Sequence, residues 1–99
     1  MRRFLPIAAC LLLTVAPAGA DDVDHDQALR LLQEGSILPL AEITTKVQAK
    51  VPGKVLEVEL ETEDGGYVYE FKILRKNGRV QEVEADASTG KILKIEDDD

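Results

Sequence analysis

The sequence predicts a two-layer α+β domain, with N-terminal helices packed on a four-stranded antiparallel β-meander. Three observations predict it. Apolar residues recur with a helical period as far as Val51 and with a period of two from Lys54 onwards. Turn signals at Asp64-Gly65-Gly66, Asn77-Gly78 and Ser88-Thr89-Gly90 divide the second half into four alternating segments. The sheet so formed is apolar on one face, and the preceding helix offers an apolar stripe of matching length to cover it. The chain has 99 residues, room for one domain.

Residues 1–20 read as an export signal. Arg2 and Arg3 form a basic start, an apolar run covers residues 4–15, and Ala18-Gly19-Ala20 places small residues before Asp21. The run is shorter than the roughly 20 residues of a membrane-spanning helix. Ile7-Ala8-Ala9-Cys10 is similar to a lipobox, but Cys10 lies inside the apolar run rather than after it. The expected product starts at Asp21, carries no lipid or stable membrane anchor, and is periplasmic or secreted.

Residues 21–39 are expected to hold a short helix and a connector. Asp24 suits an N-cap, with Gln27 three residues on. Ala28, Leu31, Leu32 and Leu29 supply the apolar side, and Gly35 a C′ stop. Pro39 fits the first turn of a second helix. Leu40, Ile43, Val47 and Val51 then follow at spacings of three, four and four, one helical face. Glu42 near its start and Lys46 and Lys50 near its end suit the helix dipole. Pro52-Gly53 ends it.

In the first strand Leu56, Val58 and Leu60 alternate with Glu57, Glu59 and Glu61. Tyr67, Tyr69, Phe71 and Ile73 form the inward row of the second. Asn77-Gly78 marks a tight hairpin, because both residues tolerate positive φ. Val83 and Ala85 alternate with Glu82, Glu84 and Asp86, and residues 92–96 make the last strand, with Leu93 and Ile95 expected inward. Asp97-Asp98-Asp99 reads as an acidic tail.

Composition excludes several functions. Twelve basic residues against 19 acidic give a net charge of −7. Loss of residues 1–20 removes Arg2 and Arg3, leaving ten basic residues in 79 and a charge of −9. That balance disfavours DNA, RNA and anionic lipid as partners. One Cys and one His cannot build a Cys-based zinc site or a disulfide.

The chain over residues 40–96 resembles the PepSY domain. The likeness rests on order: Val51-Pro52-Gly53-Lys54-Val55 at a helix end, the alternating strand of residues 56–61, Tyr67-Val68-Tyr69-Glu70-Phe71, and Asn77-Gly78. Then comes Val83-Glu84-Ala85-Asp86-Ala87-Ser88-Thr89-Gly90, similar to the family's closing V-x-V-D-A-x-T-G hairpin with Ala85 in place of the second Val. Gly35-Ser36-Ile37-Leu38-Pro39-Leu40 is similar to the domain entry of small bacterial periplasmic members. The resemblance implies a non-catalytic role, with no cofactor. PepSY domains occur in propeptides of thermolysin-type peptidases, which they are thought to hold inactive. This sequence has no His-Glu-x-x-His motif, so such a role would act in trans.

The candidate site is the outer face of the sheet. Glu57, Glu59 and Glu61 share one strand face, and Glu82, Glu84 and Asp86 share another, with Glu96, Glu70 and Lys72 nearby. Such a face docks a basic partner, or it is a solvated surface that discourages strand pairing. His25, between Asp24 and Asp26, reads as an exposed helix-start residue rather than a metal ligand. Paired carboxylates are numerous, but on a convex face of a small domain they lack a substrate cleft. The expected function is an exported interaction module such as a peptidase inhibitor or envelope regulator. The alternative is a cation-binding protein using the acidic face.

The intact mass of exported protein tests the processing expectation. The expected mass starts at Asp21; a diacylglycerol adduct on Cys10 would overturn it.

Overall fold

The computed structural model describes residues 21–98, so the expected export signal and Asp99 lie outside the described residues. Helices α1, His25–Gln33, and α2, Leu40–Lys50, precede a four-stranded antiparallel meander. Its strands are β2, Lys54–Glu63, β3, Gly66–Leu74, β4, Val80–Asp86, and β5, Ile92–Asp97. This is the expected α+β class. A two-residue strand β1, Asp21–Asp22, adds a fifth member beside β2, giving the order β1-β2-β3-β4-β5.

Local chemistry sets the helix ends. The Gln27 N–H donates to Asp24 Oδ1 at 2.8 Å, the N-cap bond expected of Asp24. At the other end Gly35 takes φ of 77°, while the N–H groups of Gly35 and Ser36 donate to the carbonyls of Leu32 and Leu31. This pair of bonds is a Schellman motif, which satisfies carbonyls that have no helical partner. Pro39 stands just before α2, and its carbonyl accepts from the N–H groups of Glu42 and Ile43.

The core joins the helices to one sheet face. Ile43 and Val47 of α2, Phe71 and Ile73 of β3, and Val83 and Ala85 of β4 are fully buried, and Val51 nearly so. Leu31 and Ile37 belong to the same cluster, and Val55, Val58, Leu60, Tyr67 and Ile92 pack around it half-buried.

Two inward expectations are corrected by β-bulges. In β2 the register passes from Val55↔Ile73 to Glu57↔Lys72, which leaves Leu56 unpaired and exposed. Val55 takes the inward place instead. In β5 the register passes from Glu84↔Lys94 to Ala85↔Ile92, so Leu93 is the extra residue and Ile92 points to the core. A bulge sets two residues against one and interrupts the alternation. Ile95 keeps the inward register opposite Val83 but is 47% exposed, on the strand outside the two that hold the fully buried side chains.

The turns also differ in type. Asp64 and Gly65, with φ of 50° and 80°, link the facing pair Glu63 and Gly66. That is the type I′ turn, the geometry expected of Asn77-Gly78. At Asn77-Gly78 only Gly78 has positive φ. The hairpin there closes through Arg75 N–H to the Arg79 carbonyl, and the Asn77 side chain accepts from the Arg79 N–H. The longer loop relieves Asn77 of a left-handed conformation.

Two substitutions test this packing. Phe71→Ala is expected to cost about 3–5 kcal/mol in denaturant unfolding, and a loss under about 1 kcal/mol would place Phe71 outside the core. Gly53, at φ of 155°, lies where a Cβ would strike the Leu74 carbonyl oxygen and approach Ile73 Cγ2 to 2.6 Å. Gly53→Ala is therefore expected to cost about 1–3 kcal/mol, and a variant as stable as the parent would contradict the close approach.

Candidate functional site

Antiparallel pairing carries the outer carboxylates into three rows across the sheet. The first row runs Glu57, Lys72, Glu82, Glu96. The second runs Glu59, Glu70, Glu84, Lys94. The third runs Asp22, Glu61, Val68, Asp86. Directly opposite side chains on one face stand about 5 Å apart, so the second row opposes three carboxylates in succession. Val68, 5% exposed, lies on this outer side rather than in the core.

Partial burial, hydrogen bonding and that crowding together set the electrostatics. Glu61 is raised by burial first and by Glu59 and Asp22 next. Glu70 is raised by burial and by Glu61. Burial and Glu63 raise Glu84, against the pull of Lys94. Glu82 is pushed furthest, up to about 7, by a hydrogen bond with Asp98, then burial, then Glu70. Lys72, held above its ordinary value by Asp98 and Glu57, is one of the two cations within the rows. It reaches Asp98 at 3.7 Å.

The six predicted residues do not act alike. Glu57, Glu59, Glu61, Glu82 and Glu84 share the face. Asp86 lies on it but is engaged in the turn after β4. Its Oδ1 accepts from the Ser88 N–H at 2.7 Å and from Ser88 Oγ at 2.6 Å. Those hydrogen bonds hold the Asp86 carboxyl below its ordinary value. The Thr89 hydroxyl accepts from the Lys91 N–H, and Gly90 donates to the Asp86 carbonyl. The closing motif of residues 83–90 is thus a turn-building device.

Residues beyond those predicted join the face. Asp22 reaches it because β1 pairs with β2; one carboxylate oxygen each from Asp22, Glu59 and Glu61 lie within 4.8 Å of one another. No local pattern announces this, since the pairing spans some forty residues of chain. Nor does the acidic tail stand apart. Asp97 closes β5 and pairs with Arg79 at 3.5 Å, while the Asp98 N–H donates to the Val80 carbonyl. His25 is exposed at the start of α1, on an apolar cleft of about 180 Å³ lined also by Leu29, Leu32, Leu40 and Tyr69.

Comparison with known proteins adds three findings. Residues 37–96 match the PepSY family, described as peptidase propeptide and YPEB domain. A 47-residue stretch, 48% of this chain, is 45% identical to the uncharacterized protein YkoJ of Bacillus subtilis (strain 168). The match covers 28% of that protein, little more than a quarter of its length. No solved structure matches the chain.

The raised carboxyl values predict a pH dependence of stability. Between the ordinary value of 4.5 and the raised value of about 7, Glu82 binds its proton more tightly in the folded state than in the unfolded chain. Folding is thus favoured at low pH, and this stability is lost as pH rises through about 7. Glu61, Glu70 and Glu84 act in the same direction. Asp86 has the opposite sign: its contribution is lost as pH falls through its depressed value, below 3.8. The melting temperature should peak near about pH 4–5 and fall towards about pH 8, and Glu82→Gln should flatten that fall. A melting temperature that climbs from about pH 5 to about pH 8 would contradict the crowding.

Proposed function

The chain belongs to the PepSY family, and from that membership we propose that it is an exported, non-catalytic module that binds a basic protein, such as a peptidase, through the outer face of its sheet. The observation that carries this reading is the second row with its neighbours. Glu59, Glu70 and Glu84 face one another, and Lys72 and Lys94 are the cations offered within the rows. Such repulsion is tolerated in water but is relieved when a cationic surface replaces it. The family's description as a peptidase propeptide domain supports a peptidase as the partner class. Export to the periplasm or medium places the module beside such enzymes.

A second reading, cation binding by the same face, draws on the proximity of the Asp22, Glu59 and Glu61 oxygens. Calorimetric titration with Ca²⁺ separates the two. Micromolar affinity lost in Glu59→Gln with Glu61→Gln would favour the cation, and millimolar or no affinity the protein partner.

The principal experiment neutralises Glu57, Glu59, Glu82 and Glu84 together as Gln. The variant is expected to melt at or above the parent temperature, because it removes like-charge repulsion and the need to hold half-buried carboxylates ionised. Capture of periplasmic proteins at low salt, and inhibition of a thermolysin-type peptidase added in trans, are both expected to weaken. The parent's capture should itself weaken at high salt and strengthen from about pH 5.5 to about pH 8, as the raised carboxyls ionise. Unchanged capture by the variant would overturn the assignment to this face.

A further inference from the structure

The sheet has two edges, and they are finished differently. On one side β1 pairs with Glu61 and Thr62, and the remainder of β2 is guarded by charge. If that stretch paired with a copy of itself about Val58, Glu57 would oppose Glu59 of the partner subunit. On the other side β5 ends the sheet with no covering strand among the described residues. An uncovered strand presents unpaired backbone donors and acceptors.

The direction of those groups follows from one bond. The Asp98 N–H donates to the Val80 carbonyl, and 80 and 98 continue the register of 82 with 96 and 84 with 94. Backbone groups alternate in direction along a strand. Lys94, Glu96 and Asp98 therefore direct theirs to β4, while Ile95 and Asp97 direct theirs to solvent. Side chains alternate too. Ile95 shares the inward face with Val83 and is 47% exposed, while Lys94 and Glu96 share the outer face.

We infer that β5 pairs antiparallel with β5 of a second copy of this chain, about a two-fold axis at Ile95. A two-fold axis perpendicular to the sheet keeps each side chain on its own face, so three central registers are available. Centred on Lys94 the pairing opposes two lysines, and centred on Glu96 it opposes two glutamates. Centred on Ile95 it sets Lys94 against Glu96 of the partner subunit, twice by symmetry. The same register joins the outward N–H and carbonyl of Ile95 to those of the partner's Ile95. It also stacks the two half-exposed isoleucine side chains. Lys94 already reaches Glu96 of its own strand at 3.3 Å, so the exchange of partners changes no charge balance. The carboxylates that would otherwise repel at the strand end are engaged within each protomer, Asp97 with Arg79 and Asp98 with Lys72. The product is one continuous sheet with the acidic face doubled, whatever that face binds.

Sedimentation equilibrium of the processed chain over a concentration series tests this, with charge reversal as the specific probe. The parent is expected to be a concentration-dependent dimer. Lys94→Glu opposes two acidic pairs and should weaken the dimer about tenfold or more. Adding Glu96→Lys to it restores both pairs with signs exchanged, and should return the dissociation constant to within about threefold of the parent. Ile95→Pro removes an N–H that the protomer does not use and should leave a folded monomer by circular dichroism. If that variant fails to fold, the charge-reversal pair still decides. A parent that stays monomeric to about 1 mM would overturn the inference. So would a dimer that Lys94→Glu leaves intact, or one that the double variant does not recover.

Discussion

One helix stripe on one face of the sheet carries this fold. Ile43, Val47 and Val51 of α2 meet Phe71, Ile73, Val83 and Ala85, and all are nearly or fully buried. A helix is about 10 Å wide and strands stand about 4.8 Å apart, so α2 covers little more than two strands. The burial pattern has that width. The central strands β3 and β4 hold the fully buried side chains, the inward residues of β2 are half-buried, and Ile95 on β5 is left open. With no cysteine after residue 20, no disulfide supplements this contact.

The other face follows from the same constraint. A two-layer domain has a second sheet surface in water, and here it is filled with carboxylates. Partial burial raises the proton affinity of Glu61, Glu70 and Glu84, and like charges brought about 5 Å apart by strand pairing raise it further. Val68, apolar and covered, lies within the same rows. The face is held together by the apolar side opposite it, not by its own interactions. Its charge is therefore open to use in recognition, at the expense of the stability lost as these carboxyls ionise.

The bulges link the two faces. Each inserts an apolar residue, Leu56 or Leu93, that neither faces the core nor joins a carboxylate row. Each falls on a strand flanking the two that α2 covers. Extra twist at those positions is the general effect of a bulge, and it turns the flanks of a sheet relative to its centre. The uneven edges have the same origin: β2 is partly capped by β1 and guarded by glutamates, while β5 keeps a short self-complementary Lys-Ile-Glu segment.

Much of the fold was legible because its signals are local. The change of period at Pro52-Gly53, the Asp24 cap, the Gly35 stop and the inward row of Tyr69, Phe71 and Ile73 all depend on residues close in sequence. So did the grouping of Glu57, Glu59, Glu61, Glu82 and Glu84 on one face, since alternation alone places them there. What the tertiary structure decided was register and pairing. Which hairpin took the type I′ turn, which apolar residues fell into bulges, and how β1 brought Asp22 to Glu59 and Glu61 all depend on contacts between distant segments. The physical reason is that side-chain direction along a strand is set by its own alternation, whereas opposition across strands is set by backbone hydrogen bonds that no single segment contains.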